Sequence, residues 1–401
     1  MIATAAVLLA SSVLAHPTPS LELASQELTV EAEFVDGSAE QLALSEIPGL
    51  ASGEGLEPVL LRIQGARDVA RRGTDRATLD LLDGDRLTGR IGGGEGEELF
   101  LELPGAALLT LPIDAFTRLV FDGRIPEDPG MPVAAPAEGD RLYRRVGDRL
   151  DRVDGAIEGF TAEGVRFDGL IGARTYPWEE LAALFVEPLV EPEPWVPAAD
   201  AVTLDLVDGS RLRGALLEVD AEAIRVAARP AGQPLLLPWS AVRLVSAHDG
   251  RLEWLSAIAP TRAIDAAPFG DALGMVWPHR VDRAVQGDLL RAGGRVWSRG
   301  VGVHGPSRLE WELDGSAGVL RGACAVDDST QRLAARGSVV FVVEVDGDVA
   351  FRSTVVRGGD TPVSIPAIDL EGASRLALSV EVADAAHVAD RANWLELRVV
   401  R

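Results

Sequence analysis

Arg308-Leu-Glu-Trp-Glu-Leu313 and Arg375-Leu-Ala-Leu-Ser-Val-Glu-Val382 decide the fold class of the last third of the chain. In the first, Leu309, Trp311 and Leu313 share one phase and Arg308, Glu310 and Glu312 the other. In the second, Leu376, Leu378, Val380 and Val382 fall together. Side chains alternate across a strand, so each stretch offers an apolar face to a core and a polar face outward. Two further β-rich runs, 338–345 and 349–356, flank Asp346-Gly347, a dipeptide suited to the positive φ angles of a two-residue hairpin. Antiparallel strands with one polar face predict a β-sandwich over 248–401.

Upstream, the chain repeats itself. Ala77-Thr-Leu-Asp-Leu-Leu-Asp-Gly-Asp-Arg-Leu-Thr-Gly89 and Val202-Thr-Leu-Asp-Leu-Val-Asp-Gly-Ser-Arg-Leu-Arg-Gly214 are two copies of one pattern. Each closes on a proline-led segment, Leu111-Pro-Ile-Asp-Ala-Phe116 and Leu237-Pro-Trp-Ser-Ala-Val242. A looser copy opens at Gly147-Asp-Arg-Leu150 and closes at Tyr176-Pro-Trp-Glu-Glu-Leu181. The opening glycine and closing proline recur about 28 to 30 residues apart, as in repeated structural units. Four or five short strands per copy predict small SH3-like or Sm-like barrels over 74–125, 138–188 and 200–247. A divergent N-terminal β unit is expected over 20–70, where Val35-Asp-Gly-Ser38 echoes the turn. The acidic, proline-bearing stretches 126–139 and 187–199 read as linkers. The predicted fold class is therefore all-β: several barrel repeats followed by a terminal sandwich of the jelly-roll kind.

The chain has 401 residues, a net charge of −24 and a single cysteine, Cys324. Such a charge is repelled by nucleic acid and by anionic membranes, which removes both as expected partners. One cysteine forms no internal disulfide and builds no CxxC metal site. Cys324 lies in an apolar run and is expected to act as a small buried hydrophobe. Residues 1–15 are read as a signal peptide: an apolar run too short to span a bilayer, ending in Val13-Leu-Ala15. The expected location is secreted, periplasmic or on the cell surface, with no membrane insertion after cleavage.

Within 248–401 the most specific stretch is Gly293-Gly-Arg-Val-Trp-Ser-Arg-Gly-Val-Gly-Val-His-Gly-Pro-Ser-Arg-Leu309. It supplies an aromatic, Trp297, then Gly300-x-Gly302-x-His304, then Ser307. Later markers follow in order: Val326-Asp-Asp328, Gly337-Ser-Val-Val-Phe341, Val345-Asp-Gly347 and Asp390-Arg-Ala-Asn-Trp394. This set resembles the NPCBM family, carbohydrate-binding modules found beside glycoside hydrolases. The sequence departs from the family's pattern with Trp297 where tyrosine is common and Asn393 where an acid is common. The resemblance implies a galactose-binding-like sandwich and a glycan as partner.

A sugar is held by a flat aromatic against its C–H face and planar polar groups on its hydroxyls. Residues of suitable type are Trp297, Arg299, His304, Ser307, Asp327, Asp328, Asp390 and Trp394. Trp311 falls on the core phase of its strand. The Asp327-Asp328 pair also admits a structural calcium ion; no other cofactor or metal is expected. No serine-hydrolase, phosphate-loop, dinucleotide or zinc-protease motif occurs. The acids fall in turns, linkers and polar strand phases, so no glycosidase carboxylate pair is apparent. The function expected is that of an exported, non-catalytic glycan binder. The alternatives are an envelope scaffold whose sandwich and barrels meet other proteins, and an accessory subunit of a glycoside hydrolase system.

Overall fold

The computed structural model describes residues 29–33, 39–43, 60–64 and 73–401, apart from short stretches at 106, 190–195, 199, 231, 249, 268–275, 317 and 385–386. The expected signal peptide, 1–15, lies outside the described residues, as does most of 20–70.

Upstream of the sandwich, five strands in a fixed order occur three times. In the first unit, Arg76–Leu81, Arg86–Glu95, Glu98–Glu102 and Leu108–Pro112 form a meander, and Phe116–Val120 returns to pair with the first strand. The second unit runs Asp140–Val146, Arg149–Phe160, Gly164–Gly169, Gly172–Pro177 and Leu181–Phe185, its last strand again pairing with its first. In the third, Ala201–Leu206, Arg211–Val219, Ala223–Ala228, Gln233–Pro238 and Val242–Ala247 repeat the arrangement. A 3-10 turn carries Pro112 into the last strand of the first unit, and another does the same after Pro238 in the third. Proline has a fixed φ and no N–H to donate, which suits a strand's last residue.

The alternate positions expected to point inward do so: Leu79, Leu87, Leu204 and Leu212 are fully buried in one shared core. Burying each is worth roughly 1.5–3 kcal/mol. The polar phase does not all face water. Thr203 and Asp205 are buried as well, so every residue of Ala201–Leu206 is inaccessible.

The reason is that units one and three pack against each other. The backbone N–H of Thr88 donates to Ser210 Oγ at 2.8 Å, and that of Arg213 donates to Asp85 Oδ2 at 3.2 Å. In the aligned copies Thr88 corresponds to Arg213 and Asp85 to Ser210, so the two contacts are equivalent. Arg86 pairs with its own counterpart, Arg211, at the centre. The contact is a self-complementary, two-fold-like interface within one chain. The second unit joins the first by pairing Leu181–Phe185 with Phe116–Val120. Stretch 126–139, expected to be a loose linker, is tied down instead. Tyr143 Oη lies 3.1 Å from the carbonyls of Pro132 and Ala134, and Met131 and Val133 pack on the second unit's core. At the other end, Leu60–Gln64 pairs with Val242–Ala247.

The sandwich has two antiparallel sheets. One orders Arg280–Val281, Gly300–His304, Arg391–Val400, Val319–Val326 and Val363–Asp369, with Leu252–Trp254 also on Arg391–Val400. The other orders Arg262–Ile264, Ser307–Glu312, Arg375–Val382, Ser338–Val345 and Asp348–Arg352, with Val356–Arg357 also on Ser338–Val345. Leu309, Trp311, Leu376, Leu378 and Val380 face the core as their alternation requires. Trp394 meets Phe341 edge-to-face, ring centroids 4.9 Å apart. Asp346 and Gly347 both take positive φ, 51° and 96°, as the hairpin reading demands. The strand expected over 349–356 is broken, because Ser353 turns its hydroxyl to accept the N–H of Phe341 at 2.9 Å. Cys324 is buried, and that burial pushes its thiol pKa upward.

Candidate functional site

The first sheet of the sandwich turns Val301, Val303, Val326 and Trp394 inward. Its other face carries Gly300, Gly302, His304, Arg391, Asn393 and Leu395. Part of that face is covered by the hairpin Leu290–Ala292 and Arg295–Trp297, whose Leu290, Ala292 and Trp297 form a small core with Ala323, Ala325 and Leu395. The chain at 283–285 crosses directly over Gly302. A Cβ there would lie 2.3 Å from the Arg283 carbonyl oxygen and 2.6 Å from the Val285 nitrogen. This close approach explains the second glycine of the Gly300-x-Gly302-x-His304 motif.

Beyond the hairpin the face becomes polar around Asp327, which is almost fully buried. One oxygen accepts Ser329 N–H at 2.9 Å and Gln286 Nε2 at 3.3 Å. The other accepts Asn393 Nδ2 at 2.7 Å and Arg291 N–H at 3.3 Å. Gln286 Nε2 also donates to Ser329 Oγ at 2.8 Å, which takes Arg391 Nη1 at 3.2 Å. Asn393, the departure from the family's acid, thus acts as a donor to Asp327, a role a carboxylate could not fill. Two acceptors of this cluster, Gln286 Oε1 and Asn393 Oδ1, are buried and receive no hydrogen bond from the described residues.

An aromatic stands at the same end. Trp277, half-buried, lies nearly parallel to the His304 ring, with centroids 5.4 Å apart at 22°. His304 Nδ1 sits 2.7 Å from the Gly305 carbonyl, so it carries the proton and leaves Nε2 as an acceptor. Burial lowers the pKa of His304, and the Arg391 charge adds to the effect. The ring is therefore neutral at neutral pH. A nearby turn holds His279 against Asp265, Nδ1 to Oδ1 3.0 Å.

The residues expected to bind a ligand are dispersed. Asp327 and His304 lie at this polar end. Asp328 is close by, accepting Gly294 N–H at 2.9 Å and Gln331 Nε2 at 2.8 Å. N–H donors thus occupy oxygens that a calcium ion at Asp327-Asp328 would need; among the described residues no group of three His, Cys, Asp or Glu side chains is placed to hold a metal. Asp390 is buried just before the strand Arg391–Val400; Oδ1 accepts Ser338 N–H at 2.8 Å, while Oδ2 has no partner among the described residues. Burial pushes its carboxyl up to about 6.

Four expected ligand residues lie away from this polar end and are buried to differing degrees. Trp394 is core, packed on Phe341. Ser307 sits on the inward phase of the opposite sheet and is buried. Trp297 lies under its own hairpin, its Nε1 donating to the Ala292 carbonyl at 3.2 Å and the Arg295 guanidinium 4.0 Å above its ring. Arg299 is buried against the third unit, where Nε donates to Asp205 Oδ2 at 3.0 Å. The sequence reading passed over Trp277, Gln286, Ser329 and Arg391. The first two lie in a segment without strand periodicity, so pattern alone gave them no weight; Ser329 adjoins the Val326-Asp-Asp328 marker and could have been included.

Residues 253–400 match the family model of the NPCBM/NEW2 domain. A curated relative, alpha-1,3-galactosidase B of Akkermansia muciniphila, is 32% identical over 122 residues, covering 29% of this chain and 15% of the relative. The chain thus spans a small part of that relative's length. Among solved structures, a CBM51 module of a Clostridium perfringens GH95 protein in complex with methyl-galactose aligns at 17% identity, over 37% of this chain and 99% of the module, with a TM-score of 0.33. Tandem CBM51 modules of a Streptococcus pneumoniae family 98 glycoside hydrolase align at 12% identity, over 80% of this chain and 88% of theirs, with a TM-score of 0.29.

Proposed function

We propose that this chain is an exported, non-catalytic protein that binds glycan through its C-terminal sandwich, at the cell envelope or outside the cell. The match of residues 253–400 to the NPCBM/NEW2 domain family carries this reading. The polar end of the first sheet suits the task. Trp277 offers an aromatic surface over His304, and Gln286, Ser329 and Arg391 offer acceptors and donors at fixed spacing. Asp327 is held as an acceptor by four N–H donors, which fits a rigid scaffold better than a carrier of protons.

A glycan array probed with the whole chain tests the reading, with galactosides included because the curated relative is named a galactosidase. Binding to at least one glycan is expected, weakened at least about 10-fold by Trp277→Ala, as the loss of one stacking aromatic implies. No binding to any glycan would refute the proposal.

A further inference from the structure

The Asp327 end of the sandwich opens onto a cleft of about 1090 Å³ between it and the first and third units. Six arginines line that cleft: Arg86 and Arg118 from the first unit, Arg243 from the third, and Arg283, Arg291 and Arg332 from the sandwich. Four aspartates share the lining, Asp122, Asp288, Asp327 and Asp328. The lining thus carries two more arginines than aspartates, on a protein of net charge −24.

Among the described residues Arg283, Arg291 and Arg332 are in no ion pair. Arg86 and Arg118 share one carboxylate, Asp80, at 2.5 and 2.8 Å. Arg283 is half-buried, and among the described residues its guanidinium donates only to the backbone carbonyl of Asp282, at 3.2 Å. Burial and the like charge of Arg86 lower its pKa, outweighing the opposing pull of Asp282 and Asp80. The side chains of Arg291 and Arg332 make no ion pair or hydrogen bond among the described residues. A planar guanidinium matches carboxylate and sulfate oxygens two at a time.

We infer that the cleft binds the anionic oxygens of a charged glycan, sulfate esters or uronate carboxylates, while the adjoining Gln286–Ser329 edge receives its neutral hydroxyls. The inference rests on the proposed glycan binding. It goes further in naming the chemical class of the sugar, and it makes the first and third units part of the site.

Titration calorimetry of the whole chain with three oligosaccharides of equal length tests it: a neutral galactan, its sulfated counterpart and an oligogalacturonate. One anionic saccharide is expected to bind at least about 10-fold tighter than the neutral one at low salt, with the preference largely lost near 0.5 M NaCl as screening shortens its range. Whichever anion binds tighter identifies the source of the charge. Arg283→Gln is expected to remove most of the preference and leave neutral binding unchanged. The double variant Arg291→Gln with Arg332→Gln repeats the test at two solvent-exposed positions. Equal, salt-independent affinity for all three would overturn the inference while leaving glycan binding intact. No affinity for any of them would overturn both.

Discussion

Arg299 of the sandwich and Asp205 of the third unit form a buried ion pair, Nε to Oδ2 3.0 Å, across the boundary between two structural units. Asp205 accepts Arg211 Nε at 3.0 Å as well, and Arg211 reaches back to Asp282 of the sandwich at 2.8 Å. The two guanidinia hold the Asp205 carboxyl below its ordinary pKa despite its burial. At the far side, Arg62 beside the third unit pairs with the buried Glu396 of the sandwich. These links make the last unit and the sandwich a single mechanical body.

Asp205→Ala leaves the buried Arg299 guanidinium without its carboxylate, while Arg211 keeps only Asp282. Removing one partner of a buried pair typically costs about 3–5 kcal/mol. Urea unfolding of the variant is expected to show the midpoint lowered for both bodies together. A loss below about 1 kcal/mol, the range of exposed pairs, would contradict the clasp.

Acidity gives a second prediction, of opposite sign for two groups. Asp390 titrates at about 6 in the folded chain, above its ordinary value of 3.8. The folded state then binds more protons than the unfolded one between those pH values, so this group's contribution is full below about pH 4 and is lost as pH rises through 6. Asp390→Asn keeps an oxygen for Ser338 N–H and replaces the unpartnered Oδ2 by a neutral amide. Relative to wild type, it should gain on the order of 2 kcal/mol by pH 8 and little at pH 4. Asp205 and Glu396 behave inversely: their carboxyls are depressed, so their stabilisation holds above about pH 4.5 and is lost in stronger acid. Unfolding midpoints from pH 3 to 8 check both. An Asp390→Asn curve parallel to wild type would contradict the assignment.

Gly302→Ala pushes a methyl group into the backbone that crosses it at Arg283–Val285. The segment carrying Gln286 must then lift. Lower stability by about 1–3 kcal/mol is expected, as for overpacking, with a parallel loss of glycan affinity. Unchanged thermal midpoint and affinity would show that the crossing tolerates displacement.

Two tryptophans separate core from surface. Trp394→Ala should cost about 3–5 kcal/mol, the usual range for a fully buried aromatic. Trp277→Ala should leave the thermal midpoint nearly unchanged and weaken glycan binding. The reverse ranking, read by calorimetric melting beside glycan titration, would relocate the site.

Strand alternation made the sandwich legible, since Leu309, Trp311, Leu376 and Leu378 could satisfy their apolar phase only by facing a core. The Asp346-Gly347 hairpin was equally plain. What alternation could not show is what covers a strand's other face. Asp205 reads as a solvent-facing acid, and only the packing of a neighbouring body turns it into a buried anchor. Arg299 was misplaced for the same reason: a guanidinium suits a sugar and a partner carboxylate alike. Trp277 lies in a segment without period, so only the folded chain brings it to His304.

The self-complementary contact between units one and three has a consequence in time. The first unit is complete at Val120, but the strand Arg211–Val219 that packs on its Asp85–Thr88 edge follows nearly a hundred residues later. At synthesis rates of about 5–20 residues per second, that edge waits for some seconds on each nascent chain. A matching edge on a neighbouring ribosome's chain, built to the same complementarity, competes for it during that interval, so crowded translation favours mispairing between chains over the contact within one.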